Sequence, residues 1–311
     1  MIIREHLRLK KLMVKPSQNA KALEKAPIEV ILPSEATAPV IYASPHSGRI
    51  YPPELLTISR LDRQELRQSE DSYVDLLFNA APELGAPLLR ALFPRAYVDV
   101  NRARDEIDPR MFTDKVSDRV DSASSRVIAG LGVIPRVVAD GHDIYDRKLF
   151  YRDAKRRLSA CYDPYHQALS DLITAARTRF GKAILIDCHS MPSAGTGIRR
   201  NDYIADIVLG DRFGVSCAPE IMEFADSHFT KCGLSVARNA PYAGGFVAAS
   251  YGRPRRHVHV LQIEISRRLY LDERRITRTD NFDVLRGHIV EFIGAFSEQF
   301  GGTQYLPVAA E

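Results

Sequence analysis

The chain has 311 residues, of which 45% are hydrophobic and 26% charged, and its formal net charge is +4. This composition excludes wholesale disorder and supplies enough apolar material for a sizeable core. The small cationic excess is a poor argument for nucleic acid and fits small anionic ligands better, and no run approaches the roughly 18 apolar residues that a membrane span needs.

The basic opening segment, MIIREHLRLKKLMVKPSQNAKALEKA, lacks the apolar stretch and small-residue cleavage site of a secretory leader. Residues 1–27 therefore read as a tail, and the cytoplasm is the default location. The cysteines, Cys161, Cys188, Cys217 and Cys232, contain no Cys-x-x-Cys pair. Neither a zinc ribbon nor a redox pair is visible, and such scattered cysteines suit a reducing compartment.

Short runs rich in Val and Ile predict strands at 28–33, 39–44, 96–100, 183–188 and 257–265. Helical spacing covers 61–81, with Leu66, Val74, Leu77 and Phe78 on one stripe. It returns over 147–179, with an interruption near Pro164, and over 217–232 and 280–299. Strands alternating with helices predict a mostly parallel sheet with helices on both faces. There is no internal repeat or low-complexity linker, so residues 28–311 read as a single α/β domain. The stretch 101–141, rich in charge and turn residues, is expected to be a long excursion near the site.

Ligands of open α/β sheets bind outside the carboxyl ends of the strands, and the polar residues gather there. ILIDCHSMPS (184–193) runs apolar and then ends in Asp187, His189 and Ser190. Period two places Asp187 and His189 on one face and Cys188 on the other, against a Cys188–His189 dyad and in favour of Asp187 orienting His189. VIYASPHSGRIYPP (40–53) has the same form and ends at His46. Either histidine alone is an ordinary loop residue; two at two strand ends are what a metal site needs.

SEDSYVD (69–75) offers Glu70, Asp71 and Asp75 as carboxylate ligands, although acidic residues at a helix start are also favoured by the dipole alone. In AYVDVNRARDEID (96–108), Arg102 has the fork that grips a carboxylate, with Asn101 beside it; a salt-bridged surface loop is the plainer reading. In HVHVLQIEISRRLYLDE (257–273), Glu264 lies deep in an apolar strand and must be paired or functional. Desolvation there raises a carboxyl pKa, which suits a general base near neutrality. RNAPYAGGF (238–246) carries Tyr242 and the Gly244–Gly245 pair, which permits close backbone approach to a ligand or simply a turn.

Taken together, SPHSG (44–48), DSYVD (71–75), DVNR (99–102), DCHS (187–190), YAGGF (242–246), YGRP (251–254) and QIEISRRLYLDE (262–273) resemble the N-formylglutamate amidohydrolase family. The resemblance covers roughly residues 36–295. It implies a three-layer α/β/α sandwich around a mixed sheet of about eight strands, as in the related zinc carboxypeptidases and aspartoacylases. It also implies one zinc ion and hydrolysis of an N-acyl amino acid. His46 and His189 match the metal histidines. The histidine-x-x-glutamate pair is absent, since Arg49 follows His46 by three, so the third ligand comes from elsewhere: Asp71 is chosen and Glu70 is the runner-up. Glu264 matches the catalytic glutamate, and Asn101 and Arg102 the pair that grips the substrate carboxylate. Tyr242, Gly244, Gly245 and Arg268 are placed among the substrate-binding residues.

The default substrate is N-formylglutamate. Its second carboxylate needs a second cation, for which Arg199, Arg200, Arg253 and Arg268 are candidates. The alternatives are a zinc deacylase or peptidase acting on another N-acyl amino acid, and a non-catalytic binding protein. His166 and His259 read as structural, and His142 as a neighbour of the site loops. No nucleic-acid or membrane partner is expected.

Overall fold

The computed structural model describes residues 26–116, 119–138, 141–193 and 205–302. Its centre is a seven-stranded sheet built from β1 (Ile28–Ile31), β2 (Val40–Ser44), β3 (Leu88–Ala91), β4 (Ala183–Met191), β5 (Ile207–Gly210), β6 (Val236–Arg238) and β7 (Val258–Ser266). The order across the sheet is β1-β3-β2-β4-β7-β5-β6. The pairings β2–β3, β2–β4, β4–β7 and β5–β6 are parallel; β1–β3 and β5–β7 are antiparallel. The expected mixed, mostly parallel sheet is therefore present, with seven strands. A separate ribbon pairs β8 (Leu271–Asp272) with β9 (Thr277–Arg278).

The helices are α1 (Pro53–Ile58), α2 (Arg63–Leu66), α3 (Val74–Leu77), α4 (Ser125–Ile128), α5 (Tyr151–Arg157), α6 (Asp163–Phe180), α7 (Pro219–Lys231), α8 (Phe246–Tyr251) and α9 (Asn281–Phe300). Strand alternation sorts them into two layers. Ile41, Leu185 and Val260 face one way, into a core shared with Tyr165, Leu169 and Ile173 of α6. Tyr42, Ile186 and Ile263 face the other, against Val74 and Leu77 of α3, Ile221 and Phe229 of α7, and Phe292 and Phe296 of α9. Both cores are fully buried, which is the three-layer sandwich expected from the strand and helix pattern.

Three expectations are corrected. Residues 96–100 are not a strand: Tyr97 and Val98 both donate to the Pro94 carbonyl, closing a turn, and β3 at 88–91 occupies the place beside β2. Ala96, Val98 and Val100 are nevertheless buried, so the apolar run signals burial and not a ladder; periodicity alone does not separate the two over so few residues. The single helix over 61–81 is broken into α2, a 3-10 turn at Arg67–Ser69 and α3. The 147–179 helix runs on through Pro164, which sits harmlessly in the first turn of α6; the irregularity is a π segment at Leu158–Tyr162, just before it.

Candidate active site

His46 follows the end of β2, and His189 lies near the carboxyl end of β4, the neighbouring parallel strand. Asp71 comes from the broken helix, whose turn at Arg67–Ser69 carries the chain over the strand ends. Its N–H donates to the His46 carbonyl at 3.0 Å, locking the two segments together. The Asp71 Oδ2 atom then stands 3.3 Å from His46 Nδ1 and 2.9 Å from His189 Nδ1. The other carboxylate oxygen, Oδ1, is held by Arg267 Nη2 at 3.3 Å and Ser190 Oγ at 3.4 Å.

Each imidazole is braced from behind. His46 Nε2 meets Asp99 Oδ1 at 2.8 Å, and His189 Nε2 meets Asp187 Oδ2 at 3.0 Å. A carboxylate on Nε2 fixes the tautomer that protonates this atom and leaves the Nδ1 lone pair free to ligate. Two buried imidazole nitrogens and a carboxylate oxygen, converging and braced in this way, are a donor set that fits a divalent metal such as zinc. Burial raises the Asp71 pKa, but the two neighbouring imidazoles favour its ionised form and hold the carboxyl well below its usual range. His189 is pushed well above its usual value against the pull of burial, chiefly by Asp187.

Glu70 is equally buried but is used up elsewhere. It accepts from Tyr51 Oη at 2.7 Å, Ser72 Oγ at 2.8 Å and Arg67 Nε at 3.1 Å. Asp75 is likewise held by Arg49 at 2.9 Å. Of the three acidic candidates, only Asp71 joins the histidines.

Glu264 on β7 is in register with His189 on β4, so both point to the same face. The Gln262 Nε2 amide donates to Glu264 Oε1 at 2.8 Å, and Gln262 is itself oriented by the Gly245 N–H at 2.7 Å. Burial is the largest influence on Glu264 and, with Asp71 and Asp187, outweighs His189 and Arg95 to push its pKa up to about 7. Arg95, four residues before Asp99 and bonded to it at 2.9 Å, feels Asp99, Asp71 and Glu264 together; these hold its pKa up despite burial.

These groups open into a cavity of about 360 Å³. Asn101 and Arg102 line it, as do Tyr242, Gly244 and Gly245. The Asn101 carboxamide is already committed: Nδ2 lies 3.3 Å from Asp187 Oδ2, and Oδ1 accepts the Val247 N–H at 2.8 Å. Asn101 thus sits behind the histidine as a brace. A Cβ on Gly245 would lie 2.5 Å from both polar atoms of that carboxamide, so the residue must be glycine. Arg102 gives Nε to the Leu131 carbonyl and Nη1 to the Asn101 carbonyl, both at 2.8 Å, and is nine-tenths buried.

Arg268 is a correction. It pairs with Asp206 at 2.6 Å and borders a separate hollow beside α9, outside the cavity. The reason is local: a 3-10 turn at Arg267–Leu269 follows β7 and sends neighbouring side chains opposite ways, so Arg267 reaches Asp71 in its place. Arg253 closes the end of α8 on the Ala249 and Gly252 carbonyls. Arg199 and Arg200 lie outside the described residues. His142 is exposed and is not among the residues that line the cavity, while His166 packs inside the fold between Tyr251 Oη and the Val100 carbonyl. Arg95, Arg126, Gln262 and Arg267 escaped sequence reasoning. Gln262 and Arg267 stand in segments that were read, and the period-two pattern already put Gln262 on the face of Glu264.

A family model described as N-formylglutamate amidohydrolase matches residues 38–271. An N-formylglutamate deformylase of Pseudomonas aeruginosa is 26% identical over 248 residues, covering 79% of this chain and 86% of that protein. A second, from Pseudomonas putida, is 27% identical over 244 residues, covering 76% and 82%. The crystal structure of N-formylglutamate amidohydrolase from Ralstonia eutropha JMP134 superposes with a TM-score of 0.84 at 35% identity, covering 88% of this chain and 98% of that one. A gene product from Agrobacterium tumefaciens shares the fold at a TM-score of 0.56 and 19% identity, covering 88% and 95%.

Proposed function

The chain belongs to the N-formylglutamate amidohydrolase family and is a hydrolase of an amide bond; from that premise we propose that it cleaves N-formylglutamate to formate and glutamate. The observation that supports this most is one juxtaposition. A buried His46–Asp71–His189 group stands beside Glu264 at the floor of a cavity whose walls carry Arg95, Arg102, Arg126 and Arg267. A doubly anionic amide suits such walls.

His46, Asp71 and His189 are the proposed ligands of one zinc ion, which when bound supplies Lewis acidity toward the amide carbonyl and the attacking water. Glu264, poised near neutrality by burial, accepts a proton from that water. The water oxygen bonds to the formyl carbon, the C–N bond breaks, and Glu264 returns the proton to the leaving nitrogen. Arg95 faces the negative charge that develops on the carbonyl oxygen. Arg102 receives the α-carboxylate through its remaining donors. Tyr242, Gly244 and Gly245 form the wall against which the amino acid lies.

The test is formate release from N-formylglutamate beside a panel of N-acetyl and other N-acyl amino acids. Preferred turnover of N-formylglutamate supports the reading. Preference for another acyl group assigns the same machinery to another substrate.

A further inference from the structure

Among the described residues four arginines line the cavity, and three of them are occupied. Arg95 is bound to Asp99 at 2.9 Å. Arg267 spends its donors on the Gln68 and Glu70 carbonyls, Ser190 and Asp71. Arg102 is anchored on the Leu131 and Asn101 carbonyls. The fourth, Arg126, has no hydrogen-bond or ion-pair partner for its guanidinium among the described residues.

Arg126 is nonetheless well placed. Ser124 caps α4 by accepting the Val127 N–H at 3.2 Å, and the Asp121 carboxylate accepts the Ala123 and Ser124 N–H groups. Leu131 then joins Arg126 to the anchored Arg102. Its N–H donates to the Arg126 carbonyl at 2.7 Å, and its carbonyl accepts from Arg102 Nε at 2.8 Å. The loop continues onto the Glu106 carbonyl through the Val133 N–H at 2.8 Å. A cation with no partner among the described residues is thus held beside Arg102, on the wall of a cavity where Arg102 is the proposed α-carboxylate site.

We propose that Arg126 is the specificity-determining residue of this site: it binds the side-chain carboxylate of the substrate's amino acid while Arg102 holds the α-carboxylate. The inference rests on the deformylase reading and names the residue that makes this site select an acidic side chain. The two guanidiniums repel each other, and Arg126 lowers the basicity of Arg102, whose pKa is brought down to about 10, mainly by burial. Arg102 has Asp99 as a counter-ion at 3.6 Å, so the carboxylate that a dianion adds meets Arg126, the cation with no counter-ion among the described residues.

The experiment compares kcat/KM for N-formylglutamate and its neutral isostere N-formylglutamine, in wild type, Arg126→Gln and Arg126→Lys. Wild type should favour the glutamate derivative on the order of a hundredfold, the discrimination expected of one charge-assisted contact in a largely enclosed site. Arg126→Gln should bring that ratio close to one, chiefly through KM for the glutamate derivative, and Arg126→Lys should restore part of it. A ratio unchanged in Arg126→Gln overturns the proposal, whether both substrates suffer equally or neither does. A wild-type enzyme that hydrolyses neither substrate removes the deformylase reading itself, and this is a different outcome from an unchanged ratio.

Discussion

Asp71 and Glu70 are adjacent and equally buried, yet their surroundings give them different duties. Glu70 is satisfied by a tyrosine, a serine and an arginine, whereas Asp71 turns one oxygen toward two imidazoles. Asp71→Asn should therefore strip the chain of metal. Glu70→Gln should keep metal while lowering stability by about 1–3 kcal/mol, the range for disturbing a buried polar network; metal analysis and denaturation separate the two. The bracing carboxylates act one step further out. Asp99→Asn should weaken metal affinity about 10- to 100-fold without removing a ligand, as read by competition with a chelator. Glu264, the proposed base, should carry the pH dependence. Its pKa is raised, so the carboxylate form needed of a base grows as pH rises, and kcat/KM should climb through an acid limb centred at or below about 7; a bound cation pulls the midpoint down. A rate that falls between pH 5 and 7 would contradict the base role. At this scale the sequence was informative: His46, Asp71, His189 and Glu264 all meet in space. Arg268 did not follow, because a residue after a strand end gives no clue to the side its chain takes once a 3-10 turn intervenes.

Two strands carry His189 and Glu264, and segments that depart from regular secondary structure bring the rest of the site to them. Leu66 packs in one core and Val74, Leu77 and Phe78 in the other. A single helix over 61–81 cannot reach both faces of the sheet, so it breaks, and the break lifts Asp71 over the strand ends. The apolar stripe recorded burial faithfully but not the change of layer. The same holds at 96–100, where burial without pairing lets a turn aim Asp99, Asn101 and Arg102 into the cavity. The Gly244–Gly245 loop fits against Asn101 with no room to spare. Gly245→Ala should force the carboxamide or the loop to move and lower kcat/KM by about a hundredfold, the scale of an ångström's misplacement at an active site. That variant should also lose about 1–3 kcal/mol of stability, the usual cost of overpacking. By contrast, Phe292→Ala in α9, deep in the other layer, should cost about 3–5 kcal/mol of stability and leave KM unchanged.

Across the whole molecule, parallel strands β2, β4 and β7 deliver His46, His189 and Glu264 to one edge of the sheet, while the excursion 101–141 and the 238–246 loop wall the cavity above them. That arrangement was legible from strand ends alone, because parallel neighbours present their carboxyl ends together. The short strands β3, β5 and β6 were not, since three or four residues beside a longer helix leave too little pattern. Because the three proposed ligand side chains come from separate parts of the chain, a bound metal would tie those parts together. Chelation should lower the unfolding temperature as well as activity, and restoring metal at a thousand times its dissociation constant should return about 4 kcal/mol of stability. No helix among the described residues is long and apolar enough to cross a membrane. The most direct test is metal content together with formate release from N-formylglutamate, on wild type and Glu264→Gln. One zinc per chain in both proteins, with formate from the wild type alone, is the expected result. A wild type that binds no zinc and releases no formate when metal is supplied would contradict the assignment of His46, Asp71, His189 and Glu264 to one catalytic centre.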